Sequence, residues 1–300
     1  MGNPYIQTPH LDQLAGGGFA FTRAYYMGSQ IQGVCVPSRA MMLTGRGLFE
    51  APQRRDWREI PRGDSMWPEV LRAGGYKTIG IGKWHNDYGS YTRAFSAGGP
   101  VFLGGMGDHT HLSVSDYDSV HGLHNLHVAN QHSSELFADA AIAFIKATRA
   151  QLFESRRQPF AMYVAFTAPH DPYMAPPAFL SRYSAQALPV PANFMAEHPF
   201  DNGDLHVRGE DLLPRPLTRE AVQGELAAYY AMVTHMDAQI GRILRALRET
   251  GLAQNTIVIF AADNGVALGS HGLIGKGSLY EHSVRVPLIF AGPGIPAGSS

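Results

Sequence analysis

The chain holds one cysteine in 300 residues, so no internal disulfide can form and the count says nothing about redox compartment. It also lacks an excess of either charge: 24 Lys and Arg against 25 Asp and Glu leave a formal net charge of -1. That balance removes the electrostatic reason to expect nucleic acid or an anionic membrane as the main partner. No apolar run reaches the roughly 18 residues of a spanning helix. Met1 is followed directly by Gly-Asn-Pro, without the basic and apolar regions of a signal peptide. Internal repeats and low-complexity tracts are absent as well. The expectation is a soluble chain, long enough to bury a full core as one large domain or one with a small appendage.

What is present alternates helices with short apolar strands. TPHLDQLA (8–15) offers Thr8 as an N-cap, Pro9 at the first helical position and Asp12 in the first turn, and three glycines then stop the helix. The lone cysteine sits in GVCVPSRAMMLTG (33–45), where PSRAMMLTG opens on proline and closes on glycine, so Cys35 lies at or near a helix N-terminus. SMWPEVLRA (65–73) reads as a helix, and YKTIGIG as a buried strand delivering Lys83, Trp84 and His85. Helical periodicity runs from Ser133 to about 155, and the strand PFAMYVAFTA after it delivers Pro169, His170 and Asp171. Residues 171–216 are proline-rich and weakly periodic, which predicts a long covering loop. A long helix from about Thr218 to Thr250 precedes NTIVIFAAD, a strand ending in Asp263-Asn264-Gly265, and VPLIFAG is a further strand. Helices between fully apolar strands predict an α/β fold with a largely parallel, mixed central sheet covered on both faces.

Lys83, His85, His170, Asp263 and Asn264 then all fall at or just past the carboxyl ends of predicted strands, the edge at which open α/β sheets bind ligands. Each has a plain alternative: Lys83 and Lys276 as surface lysines, His85 as a strand-end cap, and PHDP and DNG as simple turns. For Cys35 itself the residues leave two readings open, a small buried hydrophobe or a thiolate nucleophile activated by the helix N-terminus and Arg39. Six histidines between His109 and His132 match no closed zinc site and read as a substrate-facing or solvated loop.

Cys35-Val36-Pro37-Ser38-Arg39, followed by Thr44-Gly45, resembles the signature of the type I, formylglycine-dependent sulfatases of the alkaline phosphatase superfamily. Further segments match in the family's order: TPHLDQLA, FAFTRAYY (19–26), GKWH (82–85), APHDP (168–172), YYAMVTHMDAQIGRIL (229–244), ADNG (262–265) and LGSHGLIGKGSLYEHSVRVPLI (268–289). The resemblance covers nearly the whole chain from Thr8 onward and implies an alkaline-phosphatase-like fold that hydrolyses a sulfate ester.

By the same resemblance, a maturation enzyme converts Cys35 to formylglycine, whose hydrate attacks sulfur with one oxygen and expels sulfate with the other. Arg39 would hold that group, Lys83 and Lys276 would bind sulfate oxygens, His85 would act as base and His170 would help protonate the leaving oxygen. Asp263, Asn264 and residue 35 would ligate a divalent cation, Ca2+ by the oxygen-rich chemistry. Arg285 is read as an ion-pairing residue. A small-molecule or carbohydrate sulfate is the implied substrate, and a periplasmic or secreted location is implied by the family. Two alternatives stand: a phosphonate or phosphate ester hydrolase of the same superfamily, and a non-catalytic anion-binding protein.

The family opens with a strand ending in two adjacent aspartates that supply half of the metal ligands, whereas seven residues precede Thr8 and none is acidic. The chain ends at PGIPAGSS, where the family continues into a smaller C-terminal subdomain. The expectation is a sulfatase catalytic domain over 1–300 that lacks both parts, with an incomplete metal site and an unpartnered sheet edge.

Overall fold

The computed structural model describes residues 2–29, 34–50, 58–151 and 158–300. The chain opens with α1 (Pro9–Gly16), β1 (Phe19–Tyr25), α2 (Cys35–Thr44), α3 (Trp67–Ala73) and β2 (Lys77–Lys83). It continues through α4 (Tyr88–Ala94), β3 (Ala97–Phe102), β4 (Ser113–Asp118), β5 (Gly122–Val128), α5 (Ser133–Gln151) and β6 (Phe160–Ala165). After the one-turn α6 (Pro177–Leu180) come α7 (Arg219–Glu249), β7 (Val258–Ala261), α8 (Glu281–Val284) and β8 (Arg285–Ala291).

The strands form two sheets, a five-stranded one in the order β5-β4-β3-β2-β6 and a three-stranded one in the order β1-β8-β7. Among the named strands, parallel pairing is confined to β2 with its two neighbours, β3 and β6. The remaining pairings are antiparallel, because β4 and β5 form a hairpin and β8 runs against both β1 and β7. The five-stranded sheet is therefore mixed, parallel where the buried apolar strand β2 lies between β3 and β6. At the β2–β6 contact Gly82 has φ 87°, and a Cβ there would stand 2.1 Å from the Ala165 carbonyl oxygen, so only glycine lets β2 and β6 approach in this way.

The helices start and stop for local reasons. α2 ends at Gly45, whose φ of 69° accepts the left-handed cap that other residues resist. Thr218 caps α7 by accepting from Ala221 N at 3.2 Å, and Gly251 follows that helix with φ 71°. The expectation for Thr8 is corrected: its side chain makes no cap bond. The amide groups of His10 and Leu11 instead donate to the Asp237 carboxylate of α7, at 3.1 and 2.8 Å, so a distant helix satisfies donors that a local cap ordinarily would.

Several packed clusters hold the frame. Trp84, Tyr91, Phe95 and Tyr117 form an aromatic cluster between β2 and α4, with Trp84 5.5 Å from both Tyr91 and Phe95 in edge-on contact. Ile79, Ile81, Val114, Phe137 and Ala141 fill the layer between the five-stranded sheet and α5. Leu11, Met232, Met236 and Ile289 close α1 and α7 onto the smaller sheet. Phe160 and Met162 of β6 share a further cluster with Val258 of β7 and Leu247 of α7, so α7 ties the two sheets together.

The histidine-rich segment is a hairpin rather than a loop. His124 and His127 lie on β5 and His121 in its turn, all three exposed, while His109 and His132 are buried at 1% and 7% exposure. Burial of those two rings is possible because both nitrogens of each have partners. Nδ1 of His109 meets Ser133 and Thr167 hydroxyls and its Nε2 the His170 carbonyl; His132 meets Ser134 N and the Met174 carbonyl.

Candidate active site

Cys35 is the first residue of α2 and is 4% exposed, the burial expected of a small hydrophobe. Its surroundings are not apolar. Lys276 Nζ lies 3.1 Å from Sγ, and Asn264 Oδ1 lies 3.5 Å away. The imidazoles of His85 and His170 also favour the thiolate form of the sulfur. Burial alone would raise the thiol's pKa; Lys276 and the two histidines outweigh it, and the value falls well below that of an ordinary thiol.

One turn further along α2, Arg39 fixes the floor. Its Nε donates to Asp263 Oδ2 at 3.0 Å, and its Nη1 donates to the Lys83 carbonyl at 2.9 Å and the Tyr163 hydroxyl at 3.1 Å. Ser38 Oγ adds a bond to the Asp263 carbonyl at 2.6 Å. A single helical turn thus grips the ends of β2 and β7 and positions their polar residues. Burial pushes the Asp263 carboxyl upward, but Arg39, Lys83 and Lys276 prevail and hold its pKa below the usual carboxylate range.

Lys83 is 2% exposed, and burial lowers its pKa to about 8 against the opposing pull of Cys35. His85 follows Trp84 with φ 63°, a left-handed backbone uncommon outside glycine, and this is a concrete local strain of the kind that collects at functional sites. Gly105 packs on its ring, where a Cβ would meet Nε2 at 2.4 Å. The two histidines differ in proton affinity. Burial pulls His85 below its ordinary value, whereas in His170 bonds to Asp171 and Cys35 overcome burial and raise it.

All eight residues singled out from the sequence, Cys35, Arg39, Lys83, His85, His170, Asp263, Asn264 and Lys276, therefore meet at one place. Asp171 was not singled out for a site role. Its Oδ1 lies 3.1 Å from His170 Nδ1, and its Oδ2 binds Arg208 of the covering segment. The only sequence cue was its place beside His170. Arg285 pairs with Glu281 and donates to the Thr22 carbonyl, in keeping with an ion-pairing role.

The donor set was compared with the needs of a divalent cation. A carboxylate and an amide oxygen beside residue 35 suit a hard, oxygen-seeking ion, and the Tyr26 hydroxyl is buried with no hydrogen-bond partner among the described residues, its pKa pushed up to about 12 by burial, Cys35 and Asp263. The set is partial: among the described residues no group of three or more His, Cys, Asp or Glu side chains is arranged to hold a metal ion.

A family model described as Sulfatase matches residues 1–299. The chain belongs to the sulfatase family. Among curated relatives of the chain, a protein named Sulfatase from Formosa agariphila is 29% identical over 321 residues, covering 98% of this chain and 61% of the relative. The chain thus spans about three fifths of that relative's length. A solved structure described as a complex with its substrate D-glucosamine-2-N,6-O-disulfate superposes with a TM-score of 0.77 at 25% identity, covering 99% of this chain and 68% of that one. The phosphonate monoester hydrolase of Agrobacterium radiobacter shares the fold, with a TM-score of 0.72 at 24% identity over 99% of this chain and 66% of that one. No helix among the described residues is long and apolar enough to cross a membrane.

Proposed function

We propose that this chain is the catalytic domain of a sulfatase, hydrolysing an organic sulfate ester to an alcohol and inorganic sulfate, with residue 35 as the nucleophile in its formylglycine form. The observation that carries the reading is the shell around Cys35: a lysine at 3.1 Å, two histidines of opposite proton affinity, and Arg39 bound to Asp263. In the sulfatase family generally, formylglycine supplies a hydrated aldehyde with two oxygens, one to attack sulfur and one to release sulfate. Serine has only one.

The other side chains have roles that follow from their surroundings. Lys276 and Lys83 place positive charge where the sulfate oxygens would sit, beside the buried residue 35, so their attraction is stronger than it would be in solvent. The raised proton affinity of His170 keeps it protonated as a general acid toward the departing oxygen. His85, held below its ordinary value, stays neutral and available as a base. Environments that push two titratable groups apart assign acid and base. Arg39 orients residue 35 through their shared helix and neutralises Asp263. Asp263, Asn264 and residue 35 would hold the divalent cation, Ca2+ by donor type, which would supply positive charge beside the nucleophile.

The substrate is a small-molecule or carbohydrate sulfate ester; the solved relative bound to a sulfated glucosamine supports the carbohydrate class. The family resemblance also supports a periplasmic or secreted location, which cell fractionation tests. The decisive experiment is intact mass analysis of the peptide containing residue 35 from a host with a maturation enzyme. Conversion of the thiol to the aldehyde lowers its mass by about 18 Da. Paired aryl sulfate and aryl phosphonate substrates then establish which ester is turned over. An unmodified thiol in mature, purified protein would remove the proposal.

A further inference from the structure

We propose that Glu210, in the covering segment between β6 and α7, is a positioning residue for Lys276. The inference rests on the sulfatase reading, in which the Lys276 ammonium contacts the sulfate group. Glu210 is 4% exposed, deep burial for a carboxylate. Its two oxygens are fully engaged at the turn that ends in Lys276. Oε2 accepts from Ile274 N at 2.7 Å, and Oε1 accepts from Gly275 N at 2.9 Å.

Arg215 completes the clamp, donating to Glu210 Oε2 at 3.0 Å and to the Gly272 carbonyl at 2.7 Å. Gly275 admits this approach because it lacks a side chain; a Cβ would lie 2.7 Å from Oε1. The turn is closed on its other side by Ala267 N and Leu268 N, which donate to the Gly275 and Ile274 carbonyls at 2.8 and 3.3 Å. Glu210 thus fixes the backbone one residue before Lys276.

The lysine needs such an anchor. Its side chain is a flexible four-carbon stem whose ammonium is a point charge, without the rigid fork by which an arginine orients itself. Where the ammonium stands is set by where its backbone is held, and Glu210 and Arg215 hold it. The same segment reaches the opposite side of the site, since Arg208 binds Asp171, the partner of His170. Residues 208 to 215 therefore join the two side chains that face the sulfur from different halves of the chain, and Glu210 is the buried member of that staple.

The test uses the matured full chain, the variants Glu210→Ala and Glu210→Gln, each also in a Lys276→Ala background, and an aryl sulfate substrate. Glu210→Ala is expected to lower kcat/KM roughly 10- to 100-fold, the loss typical when a group that orients a reacting residue is removed. Glu210→Gln keeps one carbonyl acceptor for the two amides and retains activity within about tenfold of the parent. In the Lys276→Ala background the Glu210 change adds less than about twofold, because the lysine it positions is gone. A general structural defect would instead lower activity by the same factor in both backgrounds, and that result would overturn the role.

Inorganic sulfate binding, followed by calorimetry, separates this claim from the reaction assignment. Weaker sulfate binding in Glu210→Ala, with no further loss in the double variant, sustains the positioning role even if the parent fails to turn over sulfate esters. Turnover and sulfate affinity equal to the parent's in Glu210→Ala refute the role while leaving the reaction intact. A parent that neither binds sulfate nor turns over esters refutes both.

Discussion

Replacing Arg39 with methionine tests the floor of the site directly. The guanidinium serves three acceptors, the Asp263 carboxylate at 3.0 Å, the Lys83 carbonyl at 2.9 Å and the Tyr163 hydroxyl at 3.1 Å. Methionine fills much of the volume and supplies none of the donors. Removing one member of a buried ion pair costs about 3 to 5 kcal/mol, since the abandoned charge is left without compensation. The Asp263 side chain retains 21% exposure, so water can partly replace the guanidinium and the lower bound, about 3 kcal/mol, applies. With Asp263 already changed to asparagine, the same step removes only bonds to neutral acceptors and costs about 1 to 2 kcal/mol. The two backgrounds should therefore differ by about 1 to 2 kcal/mol, a coupling that a double-mutant cycle resolves. Urea unfolding of the four proteins at pH 7, with a common slope, supplies the values. The sign of the pH dependence is also set. The depressed Asp263 pKa contributes stability that is present above the unfolded carboxyl value, about 4, and lost as pH falls through the folded value. The Arg39→Met penalty consequently shrinks in acid. A penalty below about 1 kcal/mol, or one equal in both backgrounds, would refute this account of the pair.

Three further outcomes are expected. In unmatured protein Cys35 reacts with a small alkylating reagent as a thiolate below the pH at which a free cysteine does, and Lys276→Met slows that reaction at neutral pH; equal rates in both proteins would show that the lysine does not set the thiol's acidity. The same depressed thiol pKa makes stability rise with pH between the folded value and the unfolded one near about 8.5. Asp171→Asn withdraws the bond that raises His170, so the alkaline limb of the kcat profile moves to lower pH as the general acid loses its proton sooner; an unmoved limb would exclude His170 from that role. Asp263 and Asn264 offer few of the six to eight oxygens calcium takes, and Asp263 Oδ2 already accepts from Arg39, so calorimetric titration of this chain should show micromolar or weaker affinity, with submicromolar binding as the contrary result.

Much of this arrangement was legible in the residues because its signals are local. Proline at a helix start, glycine at its end and unbroken apolar runs located α1, α2, α7, β2 and β6 to within a few residues. The β4–β5 hairpin escaped because its strands are polar and rich in histidine: one side of an edge hairpin faces water, so the apolar content that marks a buried strand is missing. The distribution of parallel and antiparallel pairs was equally hidden, since β7 and β8 look as apolar as strands of a parallel sheet. Site residues with family motifs were found. Glu210, Asp171 and His109 were not, because their work is to bind backbone groups or a neighbouring side chain, and apart from the place of Asp171 beside His170 the adjacent sequence does not announce that. Asp237, which replaces Thr8 as the cap of α1, belongs to the same class of long-range polar contact.

The placement of Cys35 has a consequence for the order of events during synthesis. Its sulfur is covered by groups that leave the ribosome more than two hundred residues later, Asn264 at a separation of 229 and Lys276 at 241. Until those arrive, neither group covers the sulfur; in the folded chain Cys35 is 4% exposed. A modifying enzyme that needs this sulfur uncovered would therefore have to act before the C-terminal third of the chain has folded over it.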